Sequence, residues 1–141
     1  MYKHILLASD LSKVSHSVAE KAKYLAKSCH AKLSVVHAVE MLPAYSYAYM
    51  GLTEFEEKFI NDAKKSVHQF AEKFDINEKD CWIEVGNTKA VILDVAKKCK
   101  ADLIVIGSHG HHGLSMILGS TANAVLHHAD VDVLTVQYKE K

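Results

Sequence analysis

Short aliphatic runs alternate along this chain with longer stretches in which apolar residues recur every three or four positions. The runs are HILLAS (4–9), KLSVVHAV (32–39), WIEV (82–85), LIVIG (103–107) and VDVLTV (131–136). They are short and rich in Val, Ile and Leu, which is the pattern of strands buried on both faces. Between the first two, Val18, Ala22, Leu25, Ala26 and Cys29 fall on one face of a helix predicted over Ser12 to Cys29. A second helix is expected from Thr53, where TEFE has the form of a capping box, with Phe55, Phe59, Ile60, Ala63, Val67, Phe70, Ala71 and Phe74 laid over the sheet. A third follows Gly86-Asn87-Thr88 with Val91, Ile92, Val95, Ala96 and Cys99 on one face, and a fourth follows Gly119-Ser120 with Ala122, Val125, Leu126 and Ala129.

Strict alternation of strand and helix predicts an α/β fold: an open five-stranded parallel sheet with helices on both faces, in a single domain spanning 1–141. The flavodoxin-like order 2-1-3-4-5, or 3-2-1-4-5 if the first crossover goes the other way, places the first strand beside the point where strand order reverses. Ligands bind in such sheets in the crevice beyond the carboxyl ends of the strands at that point. The loops after the first strand, ASDLS (8–12), and after the fourth, GSHGHHGLSMILGST (107–121), would then face one crevice. The one irregular segment, MLPAYSYAYMG (41–51), opens at the sole proline, Pro43. Its Tyr45, Tyr47 and Tyr49 suit either a surface loop packed on helices or a partner subunit, or a lid over a ligand.

Composition narrows the function classes. Seventeen basic and seventeen acidic residues cancel, so no electrostatic footprint points to nucleic acid or to an anionic membrane. No run approaches the roughly 20 apolar residues of a membrane span, and the N-terminus leads straight into a strand pattern, so the expected location is the cytoplasm. Every basic residue is lysine. Without arginine, an anion must be held by backbone N–H groups, hydroxyls or lysine. Cys29, Cys81 and Cys99 are odd in number and far apart, and read as free thiols.

The glycine-histidine loop admits three readings. As a phosphate cradle, Gly107 and Gly110 let the backbone approach an anion, and Gly119, Ser120 and Thr121 open a helix whose free N–H groups favour negative charge. The spacing of Gly107, Gly110 and Gly113 is neither a Walker loop nor G-x-G-x-x-G. As a metal site, His109, His111 and His112 lack a second cluster at ligand spacing, and the adjacent His127 and His128 point roughly 100° apart on a helix, so no metal ligands are assigned. The structural reading is a turn followed by an N-capping Ser120. No G-x-S-x-G, H-E-x-x-H or C-x-x-C motif occurs, so no residue is assigned a catalytic role.

Taken together, KHILLASDLS (3–12), AKLSVVHAVE (31–40), ADLIVIGSHG (101–110) and GST (119–121) followed by VDVLTV resemble the universal stress protein A family over essentially the full chain. The likeness is to a small single-domain bacterial member with the adenine nucleotide alpha hydrolase-like fold. It implies a stress-response protein that binds ATP or a related adenine nucleotide as a regulatory ligand, with Mg²⁺ only as the phosphates bring it. Carried across by position, Ala8, Ser9 and Asp10 border the ribose and adenine, Ala38 offers backbone to the adenine edge, and Gly107, Gly110, Gly119, Ser120 and Thr121 wrap the phosphates. Two departures stand out: eight residues rather than nine separate Gly110 from Gly119, and Ala8 stands where many nucleotide-binding members carry proline. The resemblance also implies a homodimer joined through the last strand (131–138), with unnamed downstream protein partners. Two alternatives remain open: a nucleotide-free dimer acting through protein contacts, and a slow Mg²⁺-dependent ATPase in which Asp10 orients water.

Overall fold

Each strand alternates its side chains between two hydrophobic layers. The computed structural model describes residues 1–41, 53–108 and 118–137, and the side chains of all of these except 53 and 54. The elements are β1 (His4–Ala8), α1 (Ser15–Cys29), β2 (Lys32–Val39), α2 (Thr53–Phe74), a short 3₁₀ turn (Glu78–Asp80), β3 (Cys81–Val85), α3 (Thr88–Lys98), β4 (Leu103–Gly107), α4 (Ser120–His128) and β5 (Asp132–Val136). The strands form one parallel sheet in the order β3-β2-β1-β4-β5, the second of the two expected orders. Ile5 and Leu7 point toward α1 and α2, where they meet Val18, Ala22, Val67 and Phe70. Leu6 and Ala8 point to the opposite layer, made by Ile92 and Val95 of α3 and Ala122 and Val125 of α4. Burial on both faces is why the strands read as unbroken aliphatic runs.

The crossovers are fixed at the amino ends of the strands. Asp102 accepts the N–H groups of Lys3 and His4 at 2.8 and 3.0 Å while its own N–H donates to the His4 carbonyl at 2.9 Å, clamping β1 beside β4. The helices α1, α2 and α3 are followed by His30, Asp75 and Lys100, each with φ of 56°, a left-handed turn made without glycine. The free cysteines stand at this same end, Cys29 closing α1, Cys81 opening β3 and Cys99 directly after α3. No helix among the described residues is long and apolar enough to cross a membrane.

Two predicted features differ. α1 begins at Ser15 rather than Ser12, because residues 9–14 form a turn in which Leu11 takes φ 64° and Ser12 accepts the Ser15 N–H through its carbonyl. The other concerns α2, which covers the sheet only with its second half. Val67, Phe70, Ala71 and Phe74 are buried, whereas Phe55 and Phe59 are half exposed. Length explains this: 22 residues of helix extend about 33 Å, while the eight residues of β2 extend about 26 Å, so the start of α2 overshoots the sheet. The side chains of Thr53 and Glu54 in the TEFE box, and Tyr45, Tyr47 and Tyr49, lie outside the described residues.

Candidate functional site

At the carboxyl ends of β1, β2 and β4 lies a cavity of about 280 Å³, near the lower end of the roughly 300–1,000 Å³ common for small-molecule sites. It sits where strand order turns from β2 to β4 on either side of β1. Its floor is apolar: Ala8, Val36 and Ile106 from the strands, Ile92 and Ala122 from the helices behind. Val14, just before α1, and Val18 within it close the other side.

The rim after β1 is a small polar knot. Ser9 continues the ladder through its N–H to the Val36 carbonyl at 3.1 Å, and its hydroxyl accepts the Leu11 N–H at 3.0 Å and donates to Ser15 Oγ at 3.1 Å. Asp10 Oδ1 accepts both the N–H and the hydroxyl of Ser12, at 2.9 and 2.6 Å. Short polar side chains bonded to backbone two residues away fix a turn that a glycine would otherwise have to make. The neighbouring strand adds His37, whose Nδ1 lies 3.0 Å from the Ser9 carbonyl. Since a carbonyl only accepts, Nδ1 carries the proton in this contact.

On the far side the glycine loop departs and returns. Gly107 ends β4 opposite Val136, Ser108 donates its N–H to the Val136 carbonyl at 2.9 Å, and the Gly119 N–H donates to the Ser108 carbonyl at 2.7 Å. The two ends of the loop therefore touch despite the shorter spacer. Gly119, not Ser120, is the N-cap of α4, and no side chain caps the helix. Ser120 is instead its first residue and is exposed. The first turn of α4 thus presents backbone N–H groups that have no intrahelical acceptor, together with the positive end of the helix dipole, at the cavity edge.

Eight of the nine predicted site residues line this one cavity: Ala8, Ser9 and Asp10 from β1 and its loop, Ala38 from β2, and Gly107, Gly119, Ser120 and Thr121 from the glycine loop. The ninth, Gly110, lies outside the described residues, as do His109, His111 and His112. Sequence reading missed Ser12, Ser15 and Thr88. Thr88 opens α3, and its N–H and hydroxyl both donate to Glu40 Oε1, at 2.9 and 2.8 Å. Those two bonds hold the Glu40 carboxyl below its ordinary range. Asn87, placed just before the first apolar position of α3, was the legible signal for that helix start, and its side chain accepts the Ala90 N–H at 3.2 Å.

The charges around the cavity are few. Asp10 is the one carboxylate among the described lining residues, His37 the one imidazole, and no lysine is present among them. An anion here meets backbone N–H groups and hydroxyls, as the absence of arginine anticipates.

Residues 1–137 match the model of the universal stress protein family. The chain is 42% identical over 141 residues to universal stress protein A homolog 2 of Coxiella burnetii, covering 98% of this chain and 97% of that protein. It is 39% identical over 145 residues to homolog 1 of the same organism, covering 99% of each. Among solved structures, the protein MJ0577 superposes with a TM-score of 0.82 at 23% identity over 100% of this chain and 99% of that one, a likeness of fold. A universal stress protein solved in complex with cAMP superposes with a TM-score of 0.58 at 25% identity, over 96% of each chain.

Proposed function

The chain belongs to the universal stress protein family, and from that premise we propose that it binds an adenine nucleotide as a regulatory ligand in the cavity beyond β1, β2 and β4. The observation that carries this reading is the pairing of an apolar floor with an uncapped helix start in the lining of one small cavity. A flat aromatic base gains from burial against Ala8, Val36, Ile92 and Ile106, while phosphate oxygens gain from the free N–H groups of Ser120 to Ala122. Ala38, near the end of β2, supplies backbone to the base edge, and Ser9 and Asp10, on the rim after β1, border the sugar. The cAMP-bound relative supports an adenine nucleotide over other anions. Where Mg²⁺ accompanies the phosphates, Asp10, the one carboxylate among the described lining residues, would be the side chain to hold it.

The assembly we propose is a cytoplasmic homodimer joined edge to edge through β5. This strand is at the sheet edge, and Leu134 on it is 40% exposed, so pairing covers both an apolar side chain and a row of ladder groups. The test of nucleotide binding is to denature protein purified from cells, identify any released nucleotide, and titrate AMP, cAMP and ATP calorimetrically into the refolded or ligand-stripped protein. Saturable binding by at least one supports the reading. Folded protein that releases none and binds none contradicts it and favours a nucleotide-free dimer. Hydrolysis is tested by following phosphate release in wild type and Asp10→Asn.

A further inference from the structure

A second cleft, of about 790 Å³, adjoins the first on the other side of the β1–α1 loop and shares Asp10, Ser12, His37 and Ala38 with it. Its opposite wall is α2. Phe59, Asp62, Ala63, Ser66, Gln69 and Lys73 follow one another at steps of three or four apart from one single step, and so form one stripe of that helix. This stripe differs from the one that packs on the sheet, of which only Phe70 borders the cleft. Small residues at its middle, Ala63 and Ser66, leave the space open. The cleft exists because α2 overshoots β2, and burying Phe59 only by half leaves that extension with little to contribute to the core.

The lining chemistry is one-sided. Among the described lining residues, three carboxylates, Asp10, Glu40 and Asp62, stand against one lysine, Lys73, whose ammonium is directed to His16 Nδ1 at 3.0 Å. Asp62 and Lys73 are eleven residues apart, about 16 Å along the helix, so the carboxylate end and the lysine end of the cleft are separate. Phe59, half exposed, stands three residues before Asp62 at the carboxylate end, while Phe70, almost wholly buried, borders the cleft near Lys73. Negative charge beside aromatic faces selects a cation carried on an apolar body and rejects an anion.

We propose that this cleft is a second ligand site, for a small organic amine with an aromatic or aliphatic body, seated next to the nucleotide cavity. Amine binding stands independently of the nucleotide reading. The coupling between the two sites rests on it: with Asp10, Ser12 and His37 common to both, an ammonium group in the cleft stabilises negative charge in the adjoining cavity, and each ligand tightens the other by the same factor.

The experiment is an amide-shift titration of the full chain with phenethylamine, and separately with phenylacetate, which has a similar body and the opposite charge. Phenethylamine is expected to give saturable shifts at Asp62, Ser66 and Gln69 in the millimolar range, and phenylacetate none. Asp62→Asn is expected to weaken the amine about two- to fivefold and Asp62→Lys to abolish it. Both changes are at an exposed position outside the core, and unchanged amide dispersion confirms folding. Equal binding of the two probes, no saturable shift with the amine, or wild-type affinity in Asp62→Lys overturns the site. Amine binding that leaves AMP affinity unchanged, where AMP itself binds, overturns the coupling alone. Failure of AMP to bind at all contradicts the nucleotide reading, and with it the coupling, while leaving the amine result to decide the second site.

Discussion

Replacing Ser120 by aspartate sets the stability of the fold and the binding of phosphate against each other. Ser120 is exposed in the first turn of α4, a helix with neither an acidic residue in that turn nor a side-chain cap. A carboxylate there meets the positive helix end and is expected to stabilise the folded protein by about 0.3–1 kcal/mol, a rise in Tm of about 1–4 °C for a chain of this size. The same carboxylate faces any phosphate held by that turn. At about 5 Å, one pair of like charges costs about 0.8 kcal/mol with the dielectric of water and about 3.3 kcal/mol at an effective dielectric of 20, so AMP affinity should fall between about four- and 250-fold. Adenosine has no phosphate and should bind wild type and variant alike. The assays are thermal unfolding without ligand and calorimetry with AMP and with adenosine. A variant that binds AMP as wild type does, or loses adenosine equally, refutes the placement of phosphate at α4.

Three further outcomes follow from single contacts. His16 packs edge-on to Phe74 and against Phe70, accepts from Lys73, and has Lys13 and Glu20 on its own side; burial, then Lys73, lowers its pKa from 6.5. The unfolded chain therefore takes up a proton that the fold resists, so urea stability should be highest above about pH 6.5, fall as pH drops through that value and level off below the folded pKa, with the dependence reduced in His16→Gln; an unaltered pH profile in that variant refutes this. Glu40 is held below its ordinary carboxyl range by the backbone and hydroxyl of Thr88, so its contribution is present above pH 4.5 and lost as pH falls through the depressed value; Thr88→Val should move the Glu40 titration upward by NMR, and no movement contradicts the assignment. Leu134→Lys places a charge on the β5 edge and should convert the proposed dimer to monomer in sedimentation velocity, whereas a persistent dimer places the interface elsewhere.

The sheet was legible because strands buried on both faces admit little but Val, Ile, Leu and Ala, as Ile5 to Ala8 and Leu103 to Ile106 illustrate. Periodicity served less well for α2, since a stripe at three- and four-residue steps looks the same whether it faces a core or an open cleft; Phe59 and Ala63 lie on the cleft, and Val67 and Phe70 are in the core. The helix ends at His30, Asp75 and Lys100 carried no glycine to mark them. The lining of the candidate cavity was legible where it is local, in the aspartate loop after β1 and the glycines Gly107 and Gly119. What escaped was what only tertiary contact creates: the Glu40–Thr88 pair joins residues 48 apart, and the Gly119–Ser108 bond closes a loop whose length alone left that closure open.

Mapping amide-shift changes during an AMP titration tests the central claim most directly. Binding in the cavity beyond β1, β2 and β4 predicts saturable changes at Ser9, Asp10 and Ala38 together with Gly107 and Gly119 to Thr121, and none at Lys32, Cys81 and Asp102 at the opposite end of the sheet. Changes confined to that opposite end, or none at any AMP concentration, would contradict it.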